Sequence, residues 1–334
     1  MTTTTMTTAQ AKTTLAPMGD FDKWRQAAQS WALNLSSDRT RRAYLAAWGD
    51  FLAFVGKSPD LVNQDDVIAF KTYLKTTPTK TGKPSSQSTI NQRLSALSSF
   101  FTFAQGRGLR ADNPADGVKR EAVSPYGKAT WLKPKKGEDL AFLGAIDDST
   151  DQGKRDKAIA LLFLTQALRV AELASLTVES LRRRGATTFL TYRRKGGEVE
   201  TVPIAPEAAF AVDAYLKTRT GLTASSPLWV ASSKGKAAAA RLGRYEEGEE
   251  KPLTTRAIRY LVGTYAKAAF GPGHGIHPHS LRHTAAHVAE AEGLSFTEVS
   301  RLLKHKSPTI TTIYLQATSD NDEEVAEALG RRYA

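Results

Sequence analysis

Residues 187–204 read TTFLTYRRKGGEVETVPI. Threonine, valine and aromatic side chains flank Lys195-Gly196-Gly197, so the stretch predicts two short strands, over 187–193 and 198–204, meeting at that turn. On both sides the apolar spacing changes to that of helices. Helices are expected over 137–147, 154–166 and 170–175 before the hairpin, and over 206–218, 254–269, 279–292, 295–303 and 308–315 after it. Ser307 and Pro308 suit the cap and first turn of the last of these. The Lys-, Ala- and Glu-rich residues 232–251 read as a surface insertion, and 319–332 as an amphipathic tail. One hairpin among many helices predicts a mainly α fold with a small β-sheet, a mixed α/β domain over 137–334.

Residues 20–114 read as an all-helical domain. Phe21, Trp24, Ala28 and Trp31 share one face of a first helix. Tyr44, Leu45, Trp48, Phe51, Leu52 and Val55 line a second, which Ser37 or Asp38 can cap and Gly56 stops. A third helix is expected over 64–74. A fourth, over 88–105, turns Ile90, Leu94, Leu97, Phe100, Phe101 and Ala104 inward. Residues 115–136 show no apolar period, hold Pro125 and Pro134, and carry Lys119, Arg120, Lys128, Lys133, Lys135 and Lys136; they read as a basic interdomain linker. The Thr-rich residues 1–19 lack the basic and apolar regions of a secretory signal and read as a disordered leader.

Composition narrows the function. With 334 residues, 41% hydrophobic and 24% charged, the chain is globular and long enough for two cores. Lys and Arg total 46 against 34 Asp and Glu, a net charge of +12, and the excess is shared by both halves. A protein this basic points to a polyanion, nucleic acid first and anionic membrane second. No apolar run reaches the length of a membrane span; the most apolar stretch, Ala158 to Leu164, is short. The absence of cysteine removes disulfides, thiol nucleophiles and Cys-based zinc sites, and fits a reducing compartment.

Four segments stand out together: Ala167-Leu168-Arg169-Val170-Ala171-Glu172-Leu173; the turn at Lys195; His279-Ser280-Leu281-Arg282-His283; and Leu302-Leu303-Lys304-His305 with Tyr314 nine residues on. Each has a bland reading alone. Arg169 and Glu172 make a helix-surface ion pair, the histidines core or cap groups, Lys195 a solvated charge and Tyr314 a packed aromatic. A metal reading is also tested: His283 and His287 are four apart, but Thr284 stands where a zinc protease has Glu, so no metal or other cofactor is expected.

In order and at this spacing, the four segments resemble the tyrosine recombinases, the phage-integrase family. Arg169 and Glu172 match the first-arginine box, Lys195 lies eight residues before Pro203 as in the family's hairpin, His279 and Arg282 fill the H-x-x-R box, and His305 and Tyr314 have the family's separation. Thr40 to Tyr44 and Ser88 to Phe101 resemble the family's helical core-binding domain, and the short region before the first helix suggests the simple layout of Xer or Cre. Two departures are visible: Ala167 replaces a usual Gly, a mild change, and Lys304 replaces a Gly whose freedom to take positive φ a lysine lacks.

The resemblance implies a site-specific enzyme that cuts and rejoins duplex DNA through a 3′-phosphotyrosyl link, at an inverted-repeat site, exchanging strands between two sites in a homotetramer whose tails dock on neighbouring protomers. By resemblance Tyr314 is the nucleophile, Lys195 protonates the 5′ oxygen, His279 and His305 contact the phosphate, His279 assists proton removal, Glu172 orients its neighbours and His283 supports the site. The physics agrees for Arg169 and Arg282, since guanidinium binds phosphate bidentately and stays charged. Phenolate attacks phosphorus and leaves again, conserving the bond energy. Arg41, Arg42, Arg93, Lys133, Lys135, Lys136, Arg193 and Arg194 are expected on the DNA backbone, as is Arg182-Arg183-Arg184. The implied setting is the cytoplasm, at the nucleoid, with no membrane partner. Two rivals remain: a type IB topoisomerase or telomere resolvase with the same chemistry, and a catalytically silent DNA-binding regulator.

Overall fold

A computed structural model describes residues 21–123, 130–194, 196–231 and 250–304. The chain divides into two compact units, one up to Ser124 and one from Pro125.

The first unit is built on α1 (Phe21–Leu33), α2 (Asp38–Val55), α3 (Gln64–Thr76) and α4 (Gln87–Gly106). The Ser37 hydroxyl accepts the Thr40 N–H and so starts α2, and Gly56 ends it at φ 62°, a left-handed turn that glycine takes without cost. Asn63 and Asp66 cap α3 reciprocally. The core is aromatic: Trp31, Trp48, Phe51, Phe70, Phe100 and Phe101 are buried, with Phe100 edge-on to Trp31 at 5.2 Å. The indole N–H groups of Trp24 and Trp31 donate to Asp60 and Ser99. Leu45, expected inward, is 37% exposed.

The second unit contains α5 (Glu138–Gly144), α6 (Asp151–Gln166), α7 (Val170–Ala174), β1 (Leu181–Arg184), β2 (Thr187–Arg193), β3 (Val199–Pro203), α8 (Pro206–Leu216), α9 (Thr255–Phe270), α10 (Pro278–Ala291) and α11 (Phe296–Leu303). Helix α6 is its spine, with Ala158, Ile159, Leu162 and Phe163 fully buried and α8 and α10 packed on it. The sheet is antiparallel in the order β1-β2-β3, with Leu181 opposite Leu190, and Tyr192 opposite Glu200.

Three expectations change. The sheet has three strands, because Arg182-Arg183-Arg184 lies in β1. Three successive arginines show no period, yet they suit a charged sheet edge, with Arg183 paired to Asp213 and Arg184 over the Phe189 ring. The stretch 115–136 is not all linker: Ala115 and Val118 join the core of the first unit and Leu132 that of the second, where the Leu132 N–H donates to the Thr284 hydroxyl at 2.9 Å. Single anchors of this kind leave no periodicity to read. Lys133, Lys135 and Lys136 accordingly belong to the second unit, around a short 3-10 turn that leads into α5. The leader, most of the 232–251 insertion, the 308–315 helix and the tail lie outside the described residues.

Candidate active site

The site grows from the ends of helices. Helix α6 stops after Gln166, and Ala167 reverses the chain at φ 48°, in the left-handed region. Leu168 then plugs the core, 1% exposed, and Arg169 begins α7. Glu172, one turn later and 5% exposed, uses both carboxylate oxygens on the same residue: one accepts the Arg169 backbone N–H at 2.7 Å, the other its Nη1 at 2.9 Å. A single buried carboxylate thus fixes both the backbone and the guanidinium of Arg169, whose side chain stays 38% exposed.

Arg282 comes from α10 and is 3% exposed. Its Nη1 donates to the Ala167 carbonyl and its Nη2 to the Leu303 carbonyl. Both acceptors end helices, α6 and α11, where unpaired carbonyls and the macrodipole favour a cation. Both helices turn off through a left-handed non-glycine, Ala167 and Lys304, the latter at φ 51°. The two departures from glycine noted in the sequence therefore take the same strained conformation. At Ala167 an L side chain in this region costs roughly 1–2 kcal/mol, against which its buried methyl contributes about 0.8 kcal/mol. A small cluster of Ala167, Ala285, Ala286, Ala289, Val299 and Leu303 packs these ends together.

His277 caps α10, its Nδ1 accepting the Ser280 N–H, and Pro278 occupies the first turn. His279, His283 and His287 follow at four-residue steps. The His279 ring meets His283 edge-on at 4.7 Å. Burial of the ring, then the neighbouring Arg282, His277 and Arg169, lower the His279 pKa to about 4, although the residue keeps an open surface. Burial, then His279 and its neighbours, lower His283 to about 3. His279 is therefore a neutral imidazole beside two arginines at pH 7. His287 stacks on Trp131 at 4.8 Å, away from this centre. Among the described residues no three His, Asp or Glu side chains are gathered as a metal site.

The hairpin closes one side. Arg169, Glu172, Tyr192, Arg193 and Arg194 line a cleft of about 870 Å³, together with Arg182 of β1. Tyr192, 6% exposed, has its phenol pushed up to about 12 by burial and by the charges of Glu172 and Glu200. It is a protonated phenol in the site wall, a residue the sequence did not single out; its position opposite Glu200 in the hairpin register is the signal that carried it.

Lys195, His305 and Tyr314 lie outside the described residues. The residues that precede Lys195 and His305 meet: Arg194 Nη2 donates to the Lys304 carbonyl at 2.7 Å. Arg194 also pairs with Glu198 and Glu200, so it braces the hairpin. Arg193 stays exposed at the hairpin edge, as do Lys133, Lys135 and Lys136 on their turn. In the first unit, Arg41 braces Ala32 and Asp38, Arg93 pairs with Asp50, and Arg42 is exposed.

Residues 136–321 match the phage integrase family, and residues 21–110 match the phage integrase N-terminal SAM-like domain. The chain is 30% identical over 281 residues to tyrosine recombinase XerC of Thermodesulfovibrio yellowstonii, covering 83% of this chain and 85% of that protein. It is 28% identical over 316 residues to tyrosine recombinase XerC of Pelobacter propionicus, covering 89% and 92%. Its fold is similar to that of a lambda integrase(75-356) dimer bound to a COC' core site, at TM-score 0.65 and 15% identity over 90% of this chain and 96% of that one.

Proposed function

The chain belongs to the phage integrase family, and we propose that it acts as a tyrosine site-specific recombinase that cuts and rejoins duplex DNA through a 3′-phosphotyrosyl link. Arg169 and Arg282 hold the non-bridging oxygens of the scissile phosphate and neutralise the charge that builds on them. Tyr314 gives up its proton, with neutral His279 as the acceptor, and its oxygen attacks phosphorus. The bond from phosphorus to the 5′ oxygen breaks, its electron pair leaves with that oxygen, and Lys195 supplies the proton. His305 adds a contact to the phosphate, and Glu172 keeps Arg169 aimed. Rejoining runs the same steps backward.

One observation carries this reading. Arg282 bonds the carbonyl of Ala167, two residues before Arg169, so guanidinium groups 113 positions apart converge beside a neutral histidine. Two arginines and a neutral base suit a phosphodiester; neither a metal-ligand set nor a thiol is needed. The enzyme would work as a tetramer on two inverted-repeat sites, with its tail docked on a neighbour, in the cytoplasm on the nucleoid. Incubation with a nicked suicide duplex tests the chemistry: a covalent adduct mapping to Tyr314, lost in Tyr314→Phe while DNA binding persists, is expected. An adduct on any other residue overturns the assignment.

A further inference from the structure

Three charged groups join the hairpin to the end of α11. Glu200 stands on β3, beside Tyr192 of β2. One of its carboxylate oxygens accepts from Lys304 Nζ at 2.6 Å, and the other lies 3.6 Å from Arg194 Nη1. Arg194 in turn holds the Lys304 carbonyl through Nη2. Side-chain exposures of 16% for Arg194, 20% for Lys304 and 26% for Glu200 keep the three partly shielded from water. The ring is closed: side chain to side chain to backbone, and back to the residue that started it.

Its position is what gives it a role. Arg194 immediately precedes Lys195, and Lys304 immediately precedes His305. At the hairpin tip Gly196 and Gly197 take φ 107° and 94°, and the hydrogen bonds of the turn itself, from Arg194 N–H to Glu198 and from Gly197 N–H to Arg194, do not reach α11. Lys304 itself sits left-handed, a conformation that persists only when surrounding contacts over-determine it. Its ammonium and its carbonyl both contact the hairpin, while its N–H closes the end of α11 on the Arg301 carbonyl. A glycine here would take the turn at less cost but would forfeit the ammonium.

We infer that Glu200, Lys304 and Arg194 form a latch that positions the hairpin bearing Lys195 against the end of α11, making Glu200 and Lys304 positioning residues for protonation of the leaving 5′ oxygen. The inference rests on the role proposed above for Lys195. Loosening the latch degrades the approach of the proton donor, while Glu172 continues to hold Arg169.

The test is single-turnover cleavage at saturating DNA by Glu200→Gln, Lys304→Met and Lys304→Arg, with Lys195→Ala alongside. Each enzyme receives a normal duplex and one with sulfur as the 5′ bridging atom, a leaving group that departs without a proton. Glu200→Gln and Lys304→Met should cleave the normal duplex about 10–100-fold more slowly, the scale of a small misplacement of a reacting group, and the sulfur duplex at close to the wild-type rate. Lys304→Arg, which keeps the pair with Glu200, should restore the normal rate. Equal losses on both duplexes, with Lys195→Ala rescued by sulfur, overturn the latch as a device for the acid and leave only a structural brace. Failure of sulfur to rescue Lys195→Ala overturns the underlying role of Lys195 and the latch with it.

Discussion

Arg282 is a strut as well as the proposed phosphate ligand, and Arg282→Ala should reveal both. The side chain is 3% exposed and spans two helix ends, donating to the carbonyls of Ala167 and Leu303. Truncation leaves two buried acceptors without their donor. An unsatisfied buried group costs about 1–3 kcal/mol, so two cost about 2–6 kcal/mol. Water entering the space left by the guanidinium will satisfy part of this, which favours the lower half, about 2–4 kcal/mol. For a unit of this size each kcal/mol lowers the melting temperature by about 2–4 °C, so calorimetry should find a drop of roughly 5–15 °C in the transition of the second unit. Arg282→Lys keeps a charge and can serve one carbonyl, and should lose about half as much. Cleavage measured well below the melting point of the variant should fall by about 10²–10³ in Arg282→Ala, from loss of a preorganised charge on the transition state. A melting temperature within 2 °C or so of wild type, below the roughly 4 °C that even 2 kcal/mol predicts, would refute the strut. An unchanged single-turnover rate would refute the chemical role.

Ala167→Val should destabilise by about 1–3 kcal/mol, since a β-branched residue enters a left-handed, fully buried position; Ala167→Gly should be near neutral because relief of roughly 1 kcal/mol of backbone strain offsets loss of about 0.8 kcal/mol from one buried methyl. The chemical denaturation midpoints of both variants check this, and a stable Val variant contradicts the local geometry. His279, His283 and His287 all have depressed pKa values, so the unfolded chain takes up protons first as pH falls. Their stabilisation is complete above the ordinary value of 6.5 and is lost as pH drops toward about 4 and about 3 for His279 and His283. The second unit should therefore melt lower at pH 5 than at pH 7.5, and less so in His283→Gln; an equal fall in both opposes the assignment. DNA affinity should decline with salt by roughly 0.9 in log K per log salt for each phosphate neutralised, and replacing Lys133, Lys135 and Lys136 together should make the slope shallower by up to about 3. A slope unchanged by the triple replacement removes that turn from the DNA interface.

Local pattern alone was enough for most of the architecture. Trp24, Trp48, Leu94, Leu97 and Phe100 fall at helical spacing, and each is buried where a helix face should be. Glycines and β-formers around residue 195 mark the hairpin whatever packs against it. Candidate reacting groups were legible for the same reason: Arg, Lys, His and Tyr are chemically distinctive, and their order and spacing need no fold to be read. β1 and the bracing role of Arg194 were not legible because composition cannot separate a cation that faces solvent from one that faces a carbonyl. Arg183 and Arg194 have the same residue type and similar neighbours, yet one lies on the sheet edge and the other at the Lys304 carbonyl.

By itself, then, the sequence determined two domains, a helical one and a mixed one, and the list of side chains able to handle a phosphodiester. Tertiary structure alone decided how those side chains are held. The carbonyls that grip Arg282 belong to residues 115 and 21 positions away. The carboxylate that engages Lys304 is 104 positions away. The left-handed turns at Ala167 and Lys304 are tolerated because packed neighbours impose them. Periodicity and propensity act over one or two turns of chain, whereas these contacts arise only when helix ends and a strand register from distant segments meet. The physical reason is that a hydrogen bond depends on where its partner lies in space, which the local sequence does not encode.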